Sequence, residues 1–313
     1  MFTITKNYLK PHSISDAVQW AVDNAPDFAF LAGGTDLLVN KFQGNQTASC
    51  LIDITDIAEL KTVKEEGDFL KIGTLVCLDD LRKFNLISEN FPALIQAAFN
   101  VASPMLRKTA TLGGNVLCEN RCSYFNQTEW WREAVGYCLK CDGDVCIATG
   151  GKKACFSKFV SDTAPVLISL NALIQVYRDG EFHTMPLEDI YTGNGISPRN
   201  LPPTALLCYI LIPLSQDKMT IFKKLRPREA VDFSSLTTAL TLFHYGTVKI
   251  VLGAVDPKPV IVIGNIDDPC EQLIKEAVRK ARIVDNDVYS RGYRKEMISV
   301  FLNQSFNELN IEQ

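Results

Sequence analysis

A chain of 313 residues is longer than one hydrophobic core ordinarily organises, since single cores stop growing at roughly 250 residues, so two or three lobes are expected. Hydrophobic residues at 47%, charged residues at 22% and a net charge of −4 match ordinary globular usage and lack the basic excess of a nucleic-acid binder. Residues 1–10 show no apolar run behind a basic start, and no later stretch reaches about 18 uninterrupted apolar residues, so neither a signal peptide nor a membrane span is expected and the compartment is read as the reducing cytoplasm.

Ser13 and Asp16 form a capping box, and Ile14, Ala17, Val18, Ala21 and Val22 recur at helical spacing, which predicts an amphipathic helix ending near Asn24, ahead of Pro26. Residues 28–32 read as a short buried strand that runs into Gly33-Gly34-Thr35-Asp36 and then the apolar Leu37, Leu38 and Val39. Glycines let a backbone approach a phosphate closely, and exposed N–H groups with a threonine hydroxyl suit a pyrophosphate. A plain tight turn is the alternative, and neither the G-x-G-x-x-G fingerprint nor a P-loop is present.

Residues 51–54 and 69–73 predict strands, and residues 78–84 and 92–101 helices. ASPMLRKTATLGGNV (residues 102–116) then sets a second pair, Gly113-Gly114, between Thr111 and Asn115. Two such turns in one region favour a cofactor with a diphosphate over two independent turns. Further on, residues 161–165 lead into the apolar run 166–170 and a strand over 172–177, which Asp179-Gly180 turns back as a hairpin through 181–185.

Residues 191–203 (YTGNGISPRNLPP) are rich in Gly, Asn and Pro, read as a connector, and place a domain boundary there. Beyond it, residues 206–212, 220–225, 235–243 and 248–255 predict strands, and residues 269–283 and 293–301 predict helices. Strands grouped before helices predict an α+β lobe, an antiparallel sheet with helices on one face. Lys223, Lys224, Arg226 and Arg228 form a basic run, a solvated strand face unless a ligand phosphate or flavin edge lies beside it.

Six of the ten cysteines, Cys118, Cys122, Cys138, Cys141, Cys146 and Cys155, fall where hydrophobic periodicity fades, as in an insertion held by something other than a core. In a reducing compartment such clusters are metal ligands or catalytic groups more often than disulfides. Cys118-x-x-x-Cys122 and Cys138-x-x-Cys141, 15 residues apart, suit a four-thiolate zinc site. Cys122, Cys138, Cys146 and Cys155, with gaps of 15, 7 and 8 residues, could close around a larger iron–sulfur centre. Local spacing favours zinc. A redox C-x-x-C is the weaker reading, because Lys140, Asp142 and Gly143 do not continue a helix.

LAGGTDLLV (residues 31–39), ASPMLRKTATLGGNV (102–116), SDTAPVLISLNA (161–172) and FKKLRPREAVDF (222–233) together resemble the FAD-binding medium subunit of the xanthine dehydrogenase and molybdenum hydroxylase family, in order and over nearly the whole chain. RCSYFNQTEWWREAVGYCLKCDGDVC (121–146), with Cys155 after it, resembles the insertion of the 4-hydroxybenzoyl-CoA reductase β subunit, which binds an additional [4Fe-4S] cluster and which most flavin subunits of the wider family lack. The implied fold is α+β. A two-lobed FAD-binding domain of the vanillyl-alcohol-oxidase/PCMH type would span residues 1–190, with a cluster-binding insertion at about 118–157, followed by a C-terminal antiparallel sheet with helices over 191–313, of the CO dehydrogenase flavoprotein type.

The same resemblance implies that Phe30, Leu31, Ala32, Gly33, Gly34, Thr35, Asp36 and Leu37, with Val101, Thr111, Leu112, Gly113, Gly114 and Asn115, contact the FAD diphosphate and flavin. Asp162 would make a polar contact to the cofactor, and Lys224 would stand beside the isoalloxazine; Pro227 occupies a position where many relatives carry Arg. The implied cluster ligands are Cys122, Cys138, Cys146 and Cys155, which leaves Cys118 and Cys141 out, against the zinc reading. The implied function is an electron-transfer oxidoreductase subunit without a catalytic acid–base pair. Its expected partners are a molybdopterin-binding large subunit, where an aryl-CoA such as 4-hydroxybenzoyl-CoA is reductively dehydroxylated, a [2Fe-2S] small subunit, together forming a dimer of heterotrimers, and an external electron donor or acceptor. The alternatives are the flavin subunit of a purine or other aromatic hydroxylase, and a zinc-stabilised FAD-binding module without cluster electron transfer.

Overall fold

Three sheets in succession carry the chain, which a computed structural model describes over residues 5–214 and 217–310. Residues 1–4 of the N-terminal stretch lie outside the described residues. The first sheet is parallel, in the order β1-β3-β2, from β1 (Asn7–Leu9), β2 (Phe28–Leu31) and β3 (Cys50–Asp53), with α1 (Ile14–Asp23) and α2 (Leu37–Phe42) between them. The expected cap is present: the Ser13 hydroxyl accepts the Asp16 N–H at 3.1 Å. Ile14, Ala17, Val18 and Ala21 then bury one stripe of α1 against Phe28 and Ile52.

The second sheet is antiparallel. It runs β4 (Val63–Glu66), β5 (Phe69–Gly73), then, after a helical stretch, β6 (Leu173–Arg178), β7 (Glu181–Pro186) and β8 (Leu206–Pro213), in the order β4-β5-β8-β6-β7. The intervening helices are α3 (Asn85–Asn90), α4 (Pro92–Phe99), α5 (Pro104–Arg107), α6 (Leu112–Val116), α7 (Glu129–Val135) and α8 (Thr163–Ser169). The strand at 206–213, read from the sequence as the start of the C-terminal lobe, instead fills the centre of this sheet between β5 and β6. It is buried on both faces, which is why LLCYILIP is apolar throughout and does not alternate. The connector at 191–203 therefore leads back into the first part of the fold. Residues 78–84, expected as a helix, hold only a 3-10 turn at Leu81–Lys83.

The third sheet is antiparallel, β12-β11-β10-β9, from β9 (Lys218–Leu225), β10 (Leu236–Phe243), β11 (Thr247–Gly253) and β12 (Val260–Asn265), followed by α9 (Cys270–Lys280) and α10 (Arg291–Glu308). Alternation assigns its faces. Leu240, Ile250 and Leu252 pack on Ile298, Leu302 and Phe306 of α10, while Phe222, Ala239 and Val251 join the core around α4 and α8. The sheet thus has its own helices on one face, as expected, and α4 and α8 on the other. All seven residues of α8 are buried, so the C-terminal sheet is locked onto the middle of the molecule. No helix of the described residues is long and apolar enough to cross a membrane.

The insertion leaves after α6 and returns ahead of α8. Its ends are zipped by one antiparallel bridge: the Arg121 N–H donates to the Lys158 carbonyl at 2.9 Å and the Lys158 N–H to the Arg121 carbonyl at 2.8 Å. Its own apolar cluster is small, centred on Cys122, Phe125 and Cys138.

Candidate functional site

The first glycine turn packs backbone to backbone on the segment that leads into the second. A Cβ on Gly33 would lie 1.8 Å from the Thr109 carbonyl oxygen, so only glycine lets the β2–α2 turn rest on the segment ahead of α6. Gly34 holds φ at +71°, the left-handed region that favours glycine. On the other side Thr111 caps α6 by accepting the Gly114 N–H at 3.1 Å. The Gly113 N–H donates to the Thr74 carbonyl at 3.0 Å, and a Cβ on Gly113 would stand 2.5 Å from that of Thr74. Gly113 therefore serves close packing of α6 on the residue after β5, a reason for glycine that its Gly-Gly pattern did not reveal.

Two adjoining cavities, of about 410 and 560 Å³, open on these turns, and Thr35, Asp36 and Gly114 line both. Phe30, Ala32, Gly33, Gly34, Leu37, Thr111 and Gly113 also line the first; Val101, Asn115 and Asp162 line the second. The size and the shared glycine floor suit an extended dinucleotide cofactor. Leu31 and Leu112 turn the other way, into the core, because a strand alternates and a helix has one inward face.

Asp36 is committed to the insertion. Its carboxylate accepts the Glu119 N–H at 2.9 Å and pairs with Arg121, whose guanidinium lies 4.6 Å from the Phe233 ring. Glu119 in turn pairs with Lys140. Asn115 ties α6 to α8, its side-chain oxygen accepting the Ser161 hydroxyl at 2.8 Å and the Thr163 hydroxyl at 2.7 Å. None of Glu119, Arg121, Lys140 and Lys158 was singled out from the sequence as a site residue. The only signal was position, since all four lie within or at the feet of the insertion.

Asp162 and Lys224, expected as separate cofactor contacts, form one buried pair at 2.6 Å. Lys224 also donates to the Asn100 carbonyl at 2.8 Å, and Asp162 accepts the Ser234 hydroxyl. Lys224 stands behind Asp162 and does not line the cavity. Lys223, one residue earlier on β9, points oppositely and pairs with Glu308 of α10. Burial pushes the Asp162 carboxyl up, against the Lys224 ammonium and Ser234 hydroxyl that favour the anion. An acid with a raised folded pKa contributes stability that is present below the ordinary value, about 3.9, and is lost as pH rises through the folded pKa. Lys224→Met is therefore expected to destabilise the protein by about 3–5 kcal/mol near neutral pH, by stranding a buried charge. The deficit should narrow toward acid pH, where Asp162 is protonated; thermal melts across pH check this, and a pH-independent deficit would show packing alone.

Within the insertion, Cys122, Cys138, Cys146 and Cys155 line one narrow cavity, closed by Phe125, Leu139, Ile147 and Ser157. Three of the four cysteines sit on tight turns, the carbonyls of Cys122, Cys138 and Cys146 accepting the N–H groups of Phe125 at 3.1 Å, Cys141 at 2.7 Å and Gly150 at 2.7 Å, whereas Cys155 is held by the distant connector, its carbonyl accepting the Gly195 N–H at 2.9 Å. Burial pushes the Cys122 thiol up to about 11, with Cys155 and Cys138 adding to it as neighbours. An all-sulfur donor set in apolar surroundings suits a thiolate-bound cluster. Cys118 lines the second of the cavities on the glycine turns instead, and Cys141 lines neither, so the four thiols of the zinc reading do not converge. Among the described residues, no group of three or more His, Cys, Asp or Glu side chains gathers closely enough to hold a single metal ion.

A cleft of this size beside two glycine-containing segments defines the chain as a candidate dinucleotide-cofactor protein. The family described as the FAD binding domain in molybdopterin dehydrogenase matches residues 2–215, and the chain belongs to it, as an FAD-binding oxidoreductase subunit of the molybdenum hydroxylase type. It is similar to the aldehyde oxidoreductase FAD-binding subunit of Escherichia coli K12, 28% identical over 248 residues, 76% of this chain and 78% of that one. The xanthine dehydrogenase FAD-binding subunit of Escherichia coli O157:H7 is 35% identical over 112 residues, 35% of this chain and 38% of its own length. CO dehydrogenase from Oligotropha carboxidovorans shares the fold, with a TM-score of 0.75 and 20% identity over 97% of both chains. Quinoline 2-oxidoreductase from Pseudomonas putida 86 does so with a TM-score of 0.71 and 18% identity over 98% of both.

Proposed function

We propose that this chain is the FAD- and [4Fe-4S]-containing electron-transfer subunit of a molybdenum-dependent oxidoreductase that acts on an aryl-CoA such as 4-hydroxybenzoyl-CoA, by reductive dehydroxylation. The observation that carries the reading is the gathering of Cys122, Cys138, Cys146 and Cys155 on one cavity that shares Phe125 and Lys140 with the first FAD-side cavity and Cys122 with the second. When bound, FAD exchanges one or two electrons and a four-thiolate cluster one at a time, so the two together join one- and two-electron partners.

The chain's own residues bind and orient. The turn from Gly33 to Asp36 presents its N–H groups and the Thr35 hydroxyl to a diphosphate, while the start of α6, whose N–H groups from Leu112 to Asn115 are bonded within the protein, gives the cofactor the open backbone surface at Gly114. Arg121 neutralises Asp36, so that no free carboxylate faces those phosphates. Asp162, with Lys224 behind it, faces the flavin end of the cleft. The turns at Cys122, Cys138 and Cys146, and the connector's hold on Cys155 through Asn194 and Gly195, leave all four sulfurs on the one cavity.

Substrate chemistry belongs to a molybdopterin-binding large subunit, reached through a [2Fe-2S] small subunit in a dimer of heterotrimers, with an external electron donor or acceptor. A cytoplasmic location accords with ten cysteines of which none is paired in a disulfide. We assign FAD binding to the segment up to β8 and a separate α+β domain to the remainder. Anaerobic purification followed by absorption, EPR and metal analysis tests the reading: about four iron and four sulfide per chain are expected, and zinc in their place would sink it.

The similarity to aldehyde oxidoreductase and xanthine dehydrogenase subunits favours a second reading, the flavin subunit of a hydroxylating dehydrogenase passing electrons outward. Turnover of the co-purified complex separates the two: reduction of an aryl-CoA supports the first, oxidation of an aldehyde or purine the second.

A further inference from the structure

The C-x-x-C pair enters the proposed function only by half, since Cys138 lines the four-cysteine cavity and Cys141 does not. Yet the Cys141 thiol hydrogen-bonds the Cys138 sulfur. Backbone geometry brings this about. Leu139–Cys141 is a single 3-10 turn closed by the Cys141 N–H on the Cys138 carbonyl at 2.7 Å, and Asp142 ends it at φ +60°. Side chains three apart eclipse in such a turn, with their Cα atoms about 6 Å apart, within the range of about 4.4–6.8 Å at which cysteines can be bridged. The turn is held from below: the Gly143 N–H donates to the Cys138 carbonyl at 3.0 Å, and a Cβ on Gly143 would lie 1.8 Å from the Tyr137 carbonyl oxygen. Cys141 is also the more exposed of the two.

We propose that Cys138 and Cys141 form a modification site: in protein without its cluster, a small-molecule disulfide converts them to an intramolecular disulfide that blocks cluster insertion until it is reduced. The proposal rests on the reading of Cys138 as a cluster ligand. The Cys138 thiolate attacks the small disulfide, which forms a mixed disulfide and releases one thiol. The Cys141 thiolate then attacks the Cys138 sulfur, the bond to the small molecule breaks, and the second thiol leaves. Two protein thiols are oxidised, one small disulfide is reduced to two thiols, and the two protein protons pass to the leaving thiolates. Ligation withholds the Cys138 sulfur, so the loaded protein resists.

The experiment strips iron from the purified protein with a chelator under argon, adds glutathione disulfide, and maps cysteines by alkylation and mass spectrometry before reconstitution with iron and sulfide. Wild-type protein is expected to carry the 138–141 disulfide, to load less than about a tenth of its normal iron, and to recover with a thiol reductant. Cys141→Ser, untreated, should load iron as wild type does; treated, it should trap a glutathione adduct on Cys138. Free Cys141 after treatment, a bridge from Cys138 to another cysteine, or full iron loading into the bridged protein would overturn the proposal. If fully reduced wild-type protein takes up no iron, the cluster reading fails, and the bridging chemistry is judged by the cysteine map alone.

Discussion

Cys138→Ser is expected to remove nearly all of the cluster's visible absorption and most of the roughly four iron per chain, while FAD remains bound at its wild-type content. Cys138 touches neither FAD-side cavity, and the glycine turns that floor them are built from β2, α6 and Thr74, on the far side of the Arg121–Lys158 bridge. The small apolar cluster of the insertion holds Cys138 itself, so local order around residues 137–147 should also fall, and hydrogen exchange would register it there and not in the three sheets. Iron and flavin content measured on the same sample decide the matter. Intact iron with lost FAD would contradict this division of roles.

Gly33→Ala should have the opposite signature, with FAD lost and iron retained. One added carbon would sit 1.8 Å from the Thr109 carbonyl oxygen, a backbone atom that cannot swing aside, so the β2–α2 turn must move off the segment ahead of α6. Overpacking of this kind costs about 3 kcal/mol, read by chemical denaturation, and flavin content should drop at least tenfold. Gly67→Ala is the matched control: φ is +60° there and no atom lies within 4 Å, so only the left-handed backbone is penalised, at about 1 kcal/mol. Equal FAD content in the two variants would mean that the β2–α2 turn does not bear on the cofactor.

Local units were legible in the sequence wherever the cause is local. The Ser13 cap, the apolar stripe of α1 and the β6–β7 hairpin through Asp179-Gly180 all follow from interactions a few residues apart. Three edge strands escaped: β1 (Asn7–Leu9) is only three residues long, β4 (Val63–Glu66) has little apolar content, and β12 (Val260–Asn265) follows a proline-rich turn. The cysteines are the instructive case. Spacing favoured a C-x-x-C zinc site, and only resemblance to a longer motif selected the four that share a cavity, because spacing carries no information on where distant turns fold back.

By itself, then, the sequence determined a mixed α/β chain with two glycine turns, a weakly packed insertion rich in thiols and no nucleic-acid character, since composition, periodicity and capping act along the chain. The tertiary structure alone decided that Leu206–Pro213 closes the middle sheet, that Lys224 and not Lys223 meets Asp162, and that Asp36 is spent on Arg121. It also decided why Gly33 and Gly113 must be glycine, through Thr109 and Thr74. Each of these depends on contacts between segments far apart in the chain, where burial and close packing, and not local preference, select the partner.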